Sequence, residues 1–132
     1  MTTAYVESSA LAKLVIHESE TASLGRALGG HLRRVCSELG TVEVTRAAAR
    51  ADGVAGVARA RSLFLALDSI PIDAGIVGSA ARLEPWSLRS LDAIHVASAL
   101  SLVGDDLTFY SYDRRTIEAA RAAGLRVASP VP

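Results

Sequence analysis

The chain has 132 residues, half of them hydrophobic, so it is long enough for one domain with a sizeable core and too apolar to be intrinsically disordered. Its 14 basic and 14 acidic residues cancel at neutral pH, which excludes bulk positive charge as the means of holding a nucleic acid but allows a local basic rim. Cys36 is the only cysteine, which excludes an internal disulfide and a cysteine-based zinc site.

Short apolar runs alternate with longer helical patterns through the first half of the chain. Thr41 is the expected cap of the third helix, and the Asp52-Gly53 pair is its expected end. The predicted elements are a strand over 3–6, a helix over 9–16, a helix from Ser19 or Thr21 to Gly29-Gly30, a strand over 33–37, a helix over 42–52 and a further helix to about Leu67.

The second half continues the alternation. Pro71 predicts an edge position for the third strand, and Ser90 and Gly104 are the expected cap and end of the helix over 90–104. The predicted elements are a strand over 68–72, a helix over 73–83, a helix over 90–104, a strand over 107–112, a helix from Asp113 to Gly124 and a strand over 125–129. Strands of this length separated by helices predict a parallel sheet covered on both faces, so we expect residues 1–132 to form one three-layer α/β domain.

Carboxylates follow strands or begin helices at four positions: Glu7, Glu43, Asp92 and Asp113. Each has an ordinary structural interpretation. Glu43 and Asp92 lie in the first turn of a predicted helix, where an acid favours the helix dipole. Asp113 occupies an ordinary N-cap position, and Glu7 could be a solvated turn residue.

Taken together, these acids favour a metal site. Glu7 and Asp113 each follow an apolar strand, and sites in open α/β sheets form at the carboxyl ends of the strands. Acids that converge there repel one another, and Mg²⁺ or Mn²⁺, which prefers oxygen ligands, would remove that cost. His17, His31 and His95 have no ligand spacing, and we interpret His95 as a helix-packing residue. Phosphate-binding, dinucleotide and serine-hydrolase motifs are absent from the sequence.

Four segments occur in a characteristic order across nearly the whole chain: "YVESSALAKL", "VEVTRA", "LRSLDAIHVASAL" and "FYSYDRRTIEAARAAGL". Together they resemble PIN-domain proteins, specifically the VapC-like toxins of type II toxin–antitoxin pairs. The resemblance implies a parallel sheet in the order 3-2-1-4-5 with the acids at its carboxyl edge. It also implies an endoribonuclease that hydrolyses RNA phosphodiester bonds with a water activated by Mg²⁺ or Mn²⁺.

Carried over by position, the family's catalytic and metal-binding residues fall on Glu7, Glu43, Asp92 and Asp113, with an accompanying hydroxyl at Ser111. One position departs from the pattern, because the family's first acid is usually an aspartate and here it is Glu7. The basic side chains near these acids are candidates for RNA phosphate contacts, with a solvated helix face as the alternative: Arg46, Arg114 and Arg115.

The resemblance also implies partners, namely a VapB-like antitoxin and a second copy of the chain. Abundant Ala, Val and Leu over 41–67 favour a homodimer as well. The start of the chain lacks the pattern of a signal peptide and no apolar run approaches the roughly 20 residues of a membrane helix, so we expect a cytoplasmic protein that does not enter membranes.

Two alternatives stay open. One is a catalytically weakened PIN domain that binds RNA or protein, which the glutamate at position 7 favours. The other is a phospho-acceptor domain, which needs a lysine on a late strand, whereas the only lysine, Lys13, lies on the first helix.

Overall fold

The computed structural model describes residues 2–102, 104 and 106–132, and parallel strands alternate with helices through them. The strands are β1 (Thr2–Val6), β2 (Arg33–Ser37), β3 (Asp68–Ile70), β4 (Asp106–Tyr110) and β5 (Arg126–Ala128). The helices are α1 (Ser8–Val15), α2 (Thr21–Gly29), α3 (Glu38–Leu65), α4 (Ala74–Arg82), α5 (Ser90–Leu100) and α6 (Arg114–Ala122). The predicted α/β alternation is confirmed.

The central strand of the sheet is β1, which pairs in parallel with β2 and β4. The strand order is β3-β2-β1-β4-β5, as the family resemblance implied, and β3 is the edge strand that Pro71 predicts. Val6 lies opposite Tyr110, and the Glu7 N–H donates to the Tyr110 carbonyl oxygen over 3.0 Å. The residues that follow β1 and β4 therefore lie side by side at the carboxyl edge of the sheet.

Alternate side chains of β1 divide the core into two layers. Ala4 and Val6 are fully buried on one face, against α1, α2 and α3. Tyr5 is fully buried on the other face, where it packs with α5 and α6 and its ring stacks on Phe109 with the centroids 5.2 Å apart. Successive strand residues point to opposite faces, so an uninterrupted apolar strand is buried on both sides. This arrangement is the predicted three-layer architecture.

Helix α3 bends where the sequence predicts a break. Asp52 and Gly53 leave helical geometry, and Gly53 has a φ of 54°, which glycine adopts at low cost. A Cβ on Gly56 would lie 2.1 Å from the Ala48 carbonyl oxygen, so the two arms of the helix meet too closely for a larger residue. The prediction that Thr41 caps this helix is wrong. Ser37 at the end of β2 is the N-cap, since its side chain accepts a hydrogen bond from the Leu39 N–H, and the helix begins at Glu38.

Other boundaries differ for local reasons. Helix α5 begins at Ser90 as predicted, but the residue at its N-cap is Arg89 rather than Ser90, and the helix ends at Leu100 instead of continuing to Gly104; residue 103 lies outside the described residues. Strand β4 ends at Tyr110: the Ser111 N–H still donates to the Ala128 carbonyl oxygen, but the N–H groups of Tyr112 and Asp113 donate to the hydroxyls of Ser9 and Ser111. In the described part of the chain no helix is both long enough and apolar enough to cross a membrane.

Candidate active site

Glu7 follows β1 and caps α1 with its own carboxylate. Its Oε2 accepts a hydrogen bond from the Ser9 N–H over 3.0 Å, and its Oε1 accepts from the hydroxyls of Ser9 and Ser111 over 2.5 and 2.6 Å. The residue is 5% exposed, so the interpretation as a solvated turn residue is wrong. An ionised carboxylate has about four acceptor positions, and three donors leave about one for a further ligand.

Ser111 and Asp113 bring the end of β4 to the same place. Ser111 is fully buried; its hydroxyl donates to Glu7 and accepts from the Asp113 N–H over 3.1 Å. Asp113 caps α6, with its Oδ2 accepting from the N–H and the hydroxyl of Thr116. The Ser111 hydroxyl therefore joins the Glu7 carboxylate to the backbone of Asp113, and the structure confirms that Asp113 is also an N-cap.

Asp92 approaches from the first turn of α5 and meets Asp113 through an arginine that the sequence analysis did not single out. Arg89 Nε lies 3.1 Å from Asp92 Oδ2, and Arg89 Nη2 lies 3.9 Å from Asp113 Oδ2. The Asp92 side chain is 15% exposed, whereas that of Arg89 is 61% exposed. The sequence signal that could have identified Arg89 is its spacing from Asp92, because residues three apart at the start of a helix lie on the same side.

Glu43 is held by two donors from other helices. Its Oε1 accepts from the Ser8 hydroxyl over 2.5 Å and from His95 Nε2 over 2.8 Å. His95 is 1% exposed, and its Nδ1 lies 2.8 Å from the Tyr5 hydroxyl. Burial raises the pKa of Tyr5, so the phenol stays protonated. A carboxylate oxygen can only accept from a ring N–H, so His95 donates from Nε2 to Glu43 and its Nδ1 accepts from the Tyr5 hydroxyl.

These contacts decide the charge of Glu43. Burial by itself would raise the pKa of this carboxyl, but the hydrogen bonds from His95 and Ser8 hold it below the ordinary value of 4.5. Glu43 is therefore ionised at neutral pH. The expectation that His95 only packs the helix needs correction, since the ring also orients a predicted site residue.

The described residues do not gather three carboxylate, histidine or cysteine side chains closely enough to hold a metal ion. The donors at the carboxyl edge are nevertheless carboxylate and hydroxyl oxygens, the ligands that Mg²⁺ and Mn²⁺ prefer. Asp92 and Asp113 already share one cation, the Arg89 guanidinium. The donor chemistry therefore fits a divalent ion, on the condition that Arg89 moves away from the two aspartates.

The three predicted phosphate-contacting arginines lie on exposed helix surfaces: Arg46 on α3, and Arg114 and Arg115 on α6. Arg114 Nε is 3.7 Å from Glu118 one turn further along the helix, with both side chains largely in solvent. Such an exposed pair contributes little to stability, so Arg114 is available for an outside ligand.

Comparisons with known proteins agree with the fold. No protein-family model matches the chain. Over 130 residues it is 38% identical to Ribonuclease VapC47 and 40% identical to Ribonuclease VapC35, both of Mycobacterium tuberculosis, in each case over 96% of this chain and 96% of the relative.

Solved structures share the fold at lower identity. A Mycobacterium tuberculosis protein described as VapC20, a sarcin–ricin loop cleaving toxin, superimposes with a TM-score of 0.74 at 18% identity, over 98% of this chain and 99% of the other. A toxin–antitoxin complex from Klebsiella pneumoniae gives a TM-score of 0.74 at 19% identity, over 96% and 97% of the two chains.

Proposed function

Because this chain belongs to the VapC ribonuclease family, we propose that it is the endoribonuclease toxin of a toxin–antitoxin pair and that it requires Mg²⁺ or Mn²⁺ to cleave RNA. The observation that carries the proposal is the placement of Glu7 and Asp113 after the neighbouring strands β1 and β4, with Asp92 joined to Asp113 through Arg89. Carboxylates that lie near one another repel, and a bound divalent ion would remove that cost, which is why this placement supports a metal-dependent activity.

We assign the metal to Glu7, Glu43, Asp92 and Asp113. A divalent ion held there would lower the pKa of a water molecule and stabilise negative charge on a phosphate. Ser111 fixes the Glu7 carboxylate at the end of β1. Ser8 and His95 both donate to Oε1 of Glu43, so Oε2 is the oxygen that we assign to a ligand or to the attacking water.

RNA phosphates are the proposed ligands of Arg46, Arg114 and Arg115. All three side chains are exposed, and guanidinium groups bind phosphate through two hydrogen bonds at once. Their role would be to hold the RNA backbone beside the acids, since phosphate contacts position a nucleic acid without specifying its sequence. We place this activity in the cytoplasm, where RNA is present.

The antitoxin and a second copy of the chain are the proposed protein partners. Two apolar regions are open to solvent: Val54 and Leu65 on α3 are 87% and 84% exposed, and Trp86, beside α5, is 83% exposed. Trp86 and Val77 line a groove of about 360 Å³ between α4 and α5. Large apolar side chains in solvent are typical of interaction surfaces. A homodimer that also binds an antitoxin needs more than one such surface.

A catalytically weakened PIN domain that binds RNA or protein is the second candidate. It is favoured by Glu7, whose carboxylate already accepts three hydrogen bonds within the fold. Such a protein would bind RNA without cutting it, even with Mn²⁺ present.

The experiment that tests the proposal incubates the purified protein with total cellular RNA in Mg²⁺, in Mn²⁺ and in EDTA, and maps the new RNA ends. We expect cleavage in either metal and none in EDTA. Asp92→Asn keeps the shape of the side chain but removes a ligand charge, so it should abolish cleavage while circular dichroism stays unchanged.

Asp106→Asn is the matched control, because Asp106 begins β4 at the opposite edge of the sheet and pairs there with Arg126. It should cleave at the wild-type rate. Wild-type cleavage by Asp92→Asn would exclude Asp92 as a ligand. RNA binding without any cleavage in Mn²⁺ would favour the second candidate.

A further inference from the structure

Arg89 connects two of the proposed metal ligands with one side chain. Its Nε lies 3.1 Å from Asp92 Oδ2 and its Nη2 lies 3.9 Å from Asp113 Oδ2. A guanidinium is always protonated in proteins, so these aspartates share a permanent positive charge. Asp92 is the more buried partner, with a side chain 15% exposed, and its charge is the less well screened by water.

A divalent ion bound by the same aspartates would meet this guanidinium. The metal would compete for the Oδ2 atoms that Arg89 contacts, and the two cations would repel each other across a few ångströms. Metal binding therefore has to displace Arg89 at least in part, and the free energy of that displacement lowers the metal affinity.

The position of Arg89 allows such a displacement. The residue is the N-cap of α5 in extended backbone geometry and makes no side-chain capping bond to the helix. Its side chain is 61% exposed, so it can rotate into water without opening the core. The helix start that carries Asp92 does not depend on the guanidinium.

We propose that Arg89 is an internal counter-cation: it holds Asp92 and Asp113 together when no metal is bound and competes with the divalent ion for them. Arg89 is thus a positioning residue that sets the metal affinity of the site. The inference rests on the proposed metal-dependent function, and it adds a residue that regulates access of the ion.

The test measures Mn²⁺ binding by isothermal titration calorimetry in the wild type and in Arg89→Met, which keeps the length of the side chain without its charge. Arg89→Gln is measured in parallel as a second neutral variant. We expect both to bind Mn²⁺ about fivefold more tightly, the size that an ion pair of this exposure supports. Arg89→Lys, which keeps the charge, should stay near the wild-type affinity.

A second readout is the rise in melting temperature when Mn²⁺ replaces EDTA, which should be larger for Arg89→Met than for the wild type. Arg126→Met is the control: it breaks an exposed pair with Asp106 at the other edge of the sheet and should leave both quantities unchanged.

The outcomes separate this inference from the proposed function. Equal or weaker Mn²⁺ binding by the neutral Arg89 variants, with a wild type that binds Mn²⁺ and cleaves RNA, overturns the role of Arg89 and leaves the nuclease intact. RNA cleavage that persists in EDTA without any Mn²⁺ binding overturns the metal-dependent function, and the role of Arg89 with it.

Discussion

His95 donates a hydrogen bond from Nε2 to Glu43 Oε1 over 2.8 Å and thereby joins α5 to α3 across the end of the central strand. The ring is 1% exposed, and its other nitrogen accepts from the Tyr5 hydroxyl. Because Tyr5 lies in β1 two residues before Glu7, the same strand supports both the Glu7 carboxylate and the orientation of Glu43. The two carboxylates are thus positioned from one rigid element.

The first prediction concerns the Tyr5–His95 hydrogen bond. Tyr5→Phe removes the donor and leaves the buried Nδ1 of His95 without its partner, which should lower the free energy of unfolding by about 1–3 kcal/mol. Urea unfolding measured at pH 7 checks this value. Tyr112→Phe is the matched control: its hydroxyl donates to the Pro130 carbonyl, and both residues are only half-buried, so the substitution should cost about 1 kcal/mol or less. Equal losses for both variants would contradict the conclusion that the buried Tyr5–His95 hydrogen bond contributes more to stability than a half-buried one.

The second prediction is a pH dependence of stability due to Glu43. Hydrogen bonds from His95 and Ser8 outweigh the effect of burial and hold the pKa of Glu43 below 4.5 in the folded protein. Below that pH the unfolded chain binds more protons than the native one, so stability must fall with falling pH. The contribution is fully present above about pH 4.5 and disappears as the pH falls through the native pKa.

Urea unfolding of the wild type and Glu43→Gln at a series of pH values between about 3 and 7 measures this contribution. The difference in unfolding free energy between the two proteins should be constant at neutral pH and change only on the acid side of pH 4.5. A difference that varies between pH 6 and 7 instead would contradict the assignment of the pH dependence to Glu43.

Local sequence patterns were sufficient to predict the alternation of strands and helices, because burial follows simple periods, whereas the strand order came from the family resemblance. The strand over 33–37 was predicted to the residue, since its apolar centre is buried on both faces. The start of α3 was missed because Ser37 serves as strand end and helix cap at once, and local patterns do not show that double use. The contact between Glu43 and His95 joins residues 52 apart in sequence, and the role of Arg89 depends on Asp113 at the start of another helix; only the folded chain shows either relationship.

The third prediction is self-association through α3. Val54 and Leu65 are 87% and 84% exposed, and we expect the chain to be a homodimer at tens of micromolar, about the concentration of ordinary assays. Light scattering coupled to size exclusion should give the dimer mass for the wild type and a lower mass for Val54→Ser with Leu65→Ser. Leu32→Ser is the control, because Leu32 is also exposed, at 64%, but lies just before β2. A strict monomer would exclude the homodimer and leave the nuclease proposal unaffected.

The last prediction concerns Glu7, which stands where the family usually has an aspartate. Compared with aspartate, the extra methylene of glutamate moves the carboxylate by about 1 Å or more, and a misplacement of that size can cost about a hundredfold in rate. Mg²⁺ requires near-ideal octahedral geometry and should suffer most, whereas Mn²⁺ binds such sites more tightly. The protein should therefore be slow in Mg²⁺ and faster in Mn²⁺, and Glu7→Asp should be faster than the wild type in both.

Asp at position 7 can still cap α1, because aspartate is among the best N-cap residues, so the gain should not come at the expense of the helix. Cleavage rates of the two proteins over titrations of both metals measure the effect. Glu18→Asp, a change of the same kind at an exposed glutamate paired with Lys13, should leave the rates unchanged. An unchanged or lower rate for Glu7→Asp would mean that the three hydrogen bonds from Ser9 and Ser111 have adapted the site to glutamate, or that position 7 does not bind the metal.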